Sequence, residues 1–103
     1  MKEIQWSSVA EKDYDSVLQY LFDNFGKSTV EDFQKKLEHT LNIILQNPFA
    51  FRFYKRKNIR KCVFNSQLSI YYLIEKDETI FLLSLFGKQN PSTLKRIIRK
   101  LTK

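Results

Sequence analysis

Six cations lie within a ten-residue stretch: Arg52, Lys55, Arg56, Lys57, Arg60 and Lys61. Lys88 follows after two strand-like runs. Cations gathered in this way hold a phosphate or face an acidic protein. Cleaving RNA through its ribose 2′-hydroxyl would need such cations on the phosphate, together with a base and an acid for the leaving oxygen. Arg60 and Lys61, inside this cluster, are the candidates for that chemistry. Acid–base partners are scarcer. The single histidine, His39, falls in a helical segment apart from the cations, where a surface or packing role is the ordinary one. Tyr71 and Tyr72 are adjacent in a strand-like run, so they point to opposite faces and at most one reaches a given site. Cys62 reads as a small buried strand residue. No Cys/His spacing fits a metal, and no glycine-rich loop fits a nucleotide phosphate. Neither a metal nor a cofactor is therefore expected.

The elements that would position these residues follow from periodicity. Glu3 to Trp6 is a short strand, and Ser7 or Ser8 then caps a helix. That helix carries Ala10, Tyr14, Val17, Leu18, Leu21, Phe22 and Phe25 on one stripe and stops at Gly26. Ser28 with Glu31 three residues later forms a capping box. The second helix puts Val30, Phe33, Leu37, Leu41, Ile44 and Leu45 on one face. It ends at Asn47-Pro48, because a residue before proline disfavours the helical conformation. Two amphipathic helices joined through one glycine predict an antiparallel hairpin. Three strands follow: Ile59 to Asn65, Leu68 to Glu75 and Thr79 to Phe86, with turns at Asn65-Ser66-Gln67 and Lys76-Asp77-Glu78. Their apolar residues fall on both faces, as in strands covered on both sides. The hairpin covers one face, and something else must cover part of the other. Asn90-Pro91 starts a short C-terminal helix with the stripe Leu94, Ile97, Ile98, Leu101 and a basic remainder. The fold class is α+β: an N-terminal strand, an antiparallel helix hairpin on a small antiparallel sheet (β-α-α-β-β-β) and a short C-terminal helix.

At 103 residues the chain is read as one domain spanning 1–103. Apolar residues make up 43% and aromatics 15%, which supplies a core. With one cysteine no intrachain disulfide forms, and a reducing compartment is the natural setting. No signal-peptide pattern opens the chain, and no apolar run reaches the length of a membrane span, so no membrane association is expected. The net charge of +7 is unevenly placed: residues 1–38 carry five basic and eight acidic groups, residues 39–103 thirteen basic and three acidic. That polarity favours a nucleic acid or an acidic protein as partner.

The order of elements, with Pro48 after the second helix, resembles the RelE/ParE superfamily of bacterial toxins. The local matches are Ile4-Gln5-Trp6-Ser7 with Ala10, the Tyr20-Leu21 region ending at Gly26, and Tyr71-Tyr72 in the middle strand of the meander. Phe86-Gly87-Lys88-Gln89-Asn90-Pro91 is similar to the F-D-x-R-Q-N-P ending of many ParE-like members. The resemblance spans nearly the whole chain. It implies a small cytoplasmic bacterial protein that inhibits the growth of its own cell and is associated with plasmid stabilisation. It also implies an acidic antitoxin wrapped around the sheet and helices, for which Tyr71, Leu73, Leu94 and Ile98 are the candidate contacts.

RelE-like members cut mRNA on the ribosome, whereas ParE-like members poison DNA gyrase and are not nucleases. The nuclease constellation implied by the resemblance is incomplete here. Ser69 stands where an arginine is expected in the middle of the meander, and no Tyr or His follows Pro91. The ParE-like reading is therefore preferred, and the cations Arg52, Lys55, Arg56, Lys57, Arg60, Lys61 and Lys88 become the candidate contacts to the target. A ribosome-dependent endonuclease, whose cutting would be lost on changing Arg60 or Lys88 to alanine, and a degenerate member that only binds are the alternatives.

Overall fold

The computed structural model describes residues 3–54, 59–65 and 68–87. The elements run β1 (Ile4–Trp6), α1 (Ser8–Phe25), α2 (Lys27–Gln46), β2 (Arg52–Phe53), β3 (Ile59–Val63), β4 (Leu68–Ile74) and β5 (Ile80–Gly87). The strands form one sheet in the order β1-β5-β4-β3-β2. The α+β architecture is the expected one, with two differences in the sheet. β1 pairs with β5 in parallel, Ile4 opposite Ile80, so the sheet is mixed. A parallel neighbour requires a long crossover, and everything from α1 to β4 supplies it. In addition, Arg52 and Phe53 form an edge strand against Lys61 and Arg60, which gives part of the basic run a fixed backbone. The C-terminal helix expected from Asn90-Pro91 lies outside the described residues.

Ser7 is the cap of α1 and also its anchor. Its Oγ accepts from the Ala10 N–H at 2.9 Å and donates to the Leu83 carbonyl at 2.8 Å, while its own N–H donates to Leu82 O. One side chain thus sets both the start of the helix and its position over β5. Gly26 closes α1 with φ 89, a left-handed value that glycine adopts without strain. The capping box expected at Ser28 does not form: α2 begins at Lys27, immediately after Gly26, and has no side-chain cap, so Ser28 lies inside its first turn. The glycine already redirects the chain, and its carbonyl accepts from the Val30 N–H at 3.4 Å.

The main core lies between the hairpin and the sheet. Ala10, Leu37, Ile44, Cys62, Ile70, Tyr72, Ile80 and Leu82 are buried there, with Tyr14, Val17, Phe33 and Leu41 packed around them. Edge-to-face and stacked rings run from Trp6 to Tyr14, from Tyr14 to Phe33 and from Phe33 to Phe64, at centroid distances of 5.3, 6.4 and 5.4 Å. This aromatic chain joins β1, both helices and the end of β3. The distal half of the α1 stripe departs from expectation. Phe22 and Phe25 are exposed, because the sheet contacts come from Ser7, Ala10, Asp13, Tyr14 and Val17, and the end of the hairpin extends beyond them. A smaller cluster of Ile59, Tyr71 and Leu83, with Tyr54, Leu73 and Phe81 against it, occupies the other face of the sheet.

A β-bulge sets which residues reach which face. Tyr71 pairs with Ser84 but Tyr72 pairs with Leu82, so Leu83 is the extra residue of β5. Bulges re-aim the side chains around them. Leu83 joins the far cluster, while the buried Ser84 hydroxyl donates to Asp13 Oδ2 on α1 at 2.8 Å. The Leu85 N–H donates to the same oxygen at 3.2 Å.

Burial pushes the Asp13 carboxyl above its ordinary 3.8, against the downward pull of the Ser84 and Leu85 hydrogen bonds. The folded chain therefore holds this proton more tightly than the unfolded chain. The associated stability is full at low pH and is lost as the pH rises through the folded value. Asp13→Asn keeps an acceptor oxygen without the charge. It is expected to be at least as stable as the parent at neutral pH, with its advantage vanishing as the pH falls into the carboxylate range. Asp13→Ala strands both donors and is expected to cost about 1–3 kcal/mol. Urea titrations at several pH values check both outcomes.

Candidate functional site

The candidate site is built on β2 and β3. In an antiparallel pair neighbouring residues alternate between faces, and this alternation separates the two cations of β3. Lys61 lies on the far face, its Nζ 5.9 Å from the centre of the Tyr54 ring and 6.0 Å from that of Tyr71. The two tyrosine rings meet edge to face at 4.8 Å. Burial raises the Tyr71 phenol above its ordinary value and the neighbouring Tyr54 adds to the effect, against a hydrogen bond from Ser69. Tyr71 is 4% exposed.

Arg60 lies on the helix side and is occupied by the chain itself. Its Nη1 donates to the carbonyls of Phe49 at 3.1 Å and Phe51 at 2.6 Å. The guanidinium stacks over the Phe53 ring at 4.1 Å and stands 5.4 Å from the Phe49 ring. Its Nε is enclosed, with no hydrogen-bond partner among the described residues. Beside it, the Tyr72 hydroxyl donates to the Pro48 carbonyl at 2.7 Å. Burial pushes the Tyr72 phenol strongly upward, with the Arg60 charge opposing and Cys62 adding to it, so it stays a protonated donor. Arg60 and Tyr72 together hold the loop from Pro48 to Phe51 against the sheet. That loop must leave α2 and enter β2, and three of its carbonyls find donors in these two side chains.

Of the sequence-predicted site residues, Arg52, Arg60 and Lys61 therefore lie close together on β2 and β3, and Arg52 is exposed. Tyr71 and Leu73 lie on the far face of β4. Lys55, Arg56, Lys57, Lys88, Leu94 and Ile98 lie outside the described residues. His39 is exposed on α2, on an element that does not carry the cations. Cys62 is buried in the main core at 3% exposure, as its type suggests.

Two uncharged residues of this surface stand outside the cation pattern: Phe49 and Phe53, which are 63% and 57% exposed. The available signal is the alternation Phe49-Ala50-Phe51-Arg52-Phe53 just after Pro48, in which Phe51 packs inward and its two neighbours of the same type do not.

The family model for the ParE toxin of the type II toxin–antitoxin system parDE matches residues 4–90. The chain belongs to this family. No curated protein matches it by sequence. Among solved structures, the chromosomal ParDE toxin–antitoxin system from P. aeruginosa superposes with a TM-score of 0.72 at 16% identity, covering 84% of this chain and 96% of that one. A metal-bound toxin from Helicobacter pylori gives a TM-score of 0.63 at 23% identity, covering 88% and 99%. The E. coli DinJ-YafQ toxin-antitoxin complex gives 0.58 at 11% identity, covering 88% and 97%. At these identities the structural matches speak for the fold, and the family match carries the assignment to type II toxins. No described helix of this ParE-family chain is long and apolar enough to cross a membrane.

Proposed function

We propose that this chain is a cytoplasmic ParE-like toxin that inhibits growth by binding its target, DNA gyrase, and is neutralised by an acidic antitoxin. The observation that carries the reading is the placement of Arg60. Arg60, one of the three nuclease candidates, spends its Nη1 on two backbone carbonyls and its face on Phe53. A guanidinium tied in this way supports a binding surface better than it supports a phosphate undergoing cleavage, where donors must converge on the developing charge. The antitoxin is supported by the family match and by the toxin–antitoxin assemblies of the P. aeruginosa and E. coli neighbours. The basic charge of residues 39–103 suits an acidic partner.

One observation favours a second reading. Lys61, Tyr54 and Tyr71 form a cation–phenol cluster on the far face of the sheet, and a lysine beside phenols has the elements of an acid–base site. Pulse labelling of DNA and protein synthesis just after induction separates the two. The gyrase reading expects DNA synthesis to fall first, with DNA-damage signalling and no mRNA cuts. A first fall in protein synthesis, abolished by Lys61→Ala, would overturn it in favour of ribosome-dependent cleavage. No growth defect at all would leave a binding module without toxicity.

A further inference from the structure

We propose that residues 88–103 fold back as a short basic amphipathic helix and cover the face of the sheet that the hairpin leaves open. Gyrase and ribosome targets are both compatible with such a cover. Ile59, Tyr71 and Leu83 are 0%, 4% and 1% exposed, yet among the described residues their cluster draws only on strand residues and Tyr54. Ala10, Leu37 and Ile44 of the two helices belong to the other cluster. Side chains stand roughly perpendicular to a sheet, so on an uncovered face their tips meet water. Near-complete burial of side chains from three neighbouring strands requires a second layer over them. The exposed end of the hairpin, at Phe22 and Phe25, is the contrasting apolar surface, and its exposure shows that it has no such cover.

Outside the described residues lie 1–2, 55–58, 66–67 and 88–103. Lys55-Arg56-Lys57-Asn58 and Ser66-Gln67 contain no apolar side chain. Met1 precedes β1, whose place in the sheet is three strands from that of Ile59. Residues 88–103 have both the length and the pattern. Leu94, Ile97, Ile98 and Leu101 recur at the spacing of one helix face, and Asn90-Pro91 is a helix start. The family match ends at residue 90, before this stripe. The dimensions agree. Ile59, Leu73 and Phe81 stand opposite one another on β3, β4 and β5, a width of about 10 Å, close to the diameter of one helix. Leu94 to Leu101 spans about 10 Å along a helix axis. The stretch from Gly87 to Leu94 reaches up to about 23 Å, enough to turn back from the end of β5 to Leu83. Residues 88–103 carry six cations and no acid, and the cross-strand pair Arg52 and Lys61 shares the face, so apolar burial and not charge holds the cover down. Tyr71 and Leu73 then meet the Leu94 and Ile98 stripe, and these four residues are partners of one another.

The test is hydrogen–deuterium exchange of the full chain, read by mass spectrometry. Amides of residues 94–101 are expected to exchange about tenfold or more slowly than in the denatured chain, equally at low and high protein concentration and without loss as salt is raised. Leu94→Ser/Ile98→Ser, outside the described body, and Leu73→Ser, on the covered face, are each expected to remove that protection while circular dichroism shows the body folded. Phe22→Ser/Phe25→Ser, at the exposed hairpin end, is expected to leave it unchanged. Fast exchange of residues 94–101 in the parent chain would overturn the proposal. So would protection lost in the hairpin variant but kept in Leu73→Ser, which would move the segment to the hairpin. Protection that disappears on dilution would place it on a second copy, and protection that disappears with salt would mean a contact held by charge; either result overturns the cover argued here.

Discussion

Tyr72→Ala is expected to lower the unfolding free energy by about 3–5 kcal/mol, and Tyr72→Phe by about 1–2 kcal/mol. The ring is fully buried in the middle of β4, within the core shared by the sheet and the hairpin. It stands edge to face with Phe51 at 6.4 Å. Truncation removes those contacts and leaves a cavity in a region bounded by β3, β5 and α2, whose backbones cannot all move inward. The hydroxyl is a separate contribution, because its bond to the Pro48 carbonyl is buried. A domain of this size has only about 5–15 kcal/mol of stability in total, so the alanine variant approaches the limit of folding. Urea denaturation of the two variants measures both effects. If the phenylalanine variant loses nothing, water replaces the hydroxyl at Pro48 and the loop is not held by this bond. If it loses as much as alanine, ring packing is the lesser part.

The hairpin and the meander were readable from the sequence because each rests on a repeated local signal. The 3.6-residue stripes identify both helices, and the short, near-continuous apolar runs between turn signals identify β3, β4 and β5. What was not readable depends on residues far apart in the chain. Ser28 and Glu31 have the spacing of a capping box, but the decision lies with Gly26, which ends one helix and starts the next without a polar side chain. Phe22 and Phe25 continue the apolar stripe of α1, and only the extent of the sheet beneath determines that they stay exposed. The bulge at Leu83 has no signature in a run such as Thr79 to Phe86, yet it sends Ser84 to Asp13, 71 positions away. The site divides in the same way. Charge clustering located Arg52, Arg60 and Lys61, but it could not show that Arg60 and Lys61 work on opposite faces. Adjacent strand residues separate in this manner, but only the register with β2 and β4 shows which face each cation takes.

Arg60→Ala is expected to cost about 2–3 kcal/mol, from two hydrogen bonds made by a charged donor, one of them part-buried, and the stacking on Phe53. Arg60→Lys is expected to recover little of this, since an ammonium cannot lie flat on a ring while bonding two carbonyls. Because Arg60 and Tyr72 hold the same loop at Phe49, Phe51 and Pro48, their losses should not add. A double-mutant cycle of Arg60→Ala with Tyr72→Phe is expected to show a coupling of roughly 0.5–2 kcal/mol. Additive losses would mean that each anchors its carbonyl independently. The consequence for function is direct. Arg60→Ala would reduce toxicity by lowering the folded population, whatever the target, so loss of toxicity in that variant does not identify a nuclease. The distinguishing measurement is toxicity at a temperature where circular dichroism shows the variant fully folded. Retained toxicity there fits an arginine that holds the loop. Lost toxicity in the folded variant would mean that the guanidinium itself meets the target, and the structural role argued for Arg60 would be insufficient.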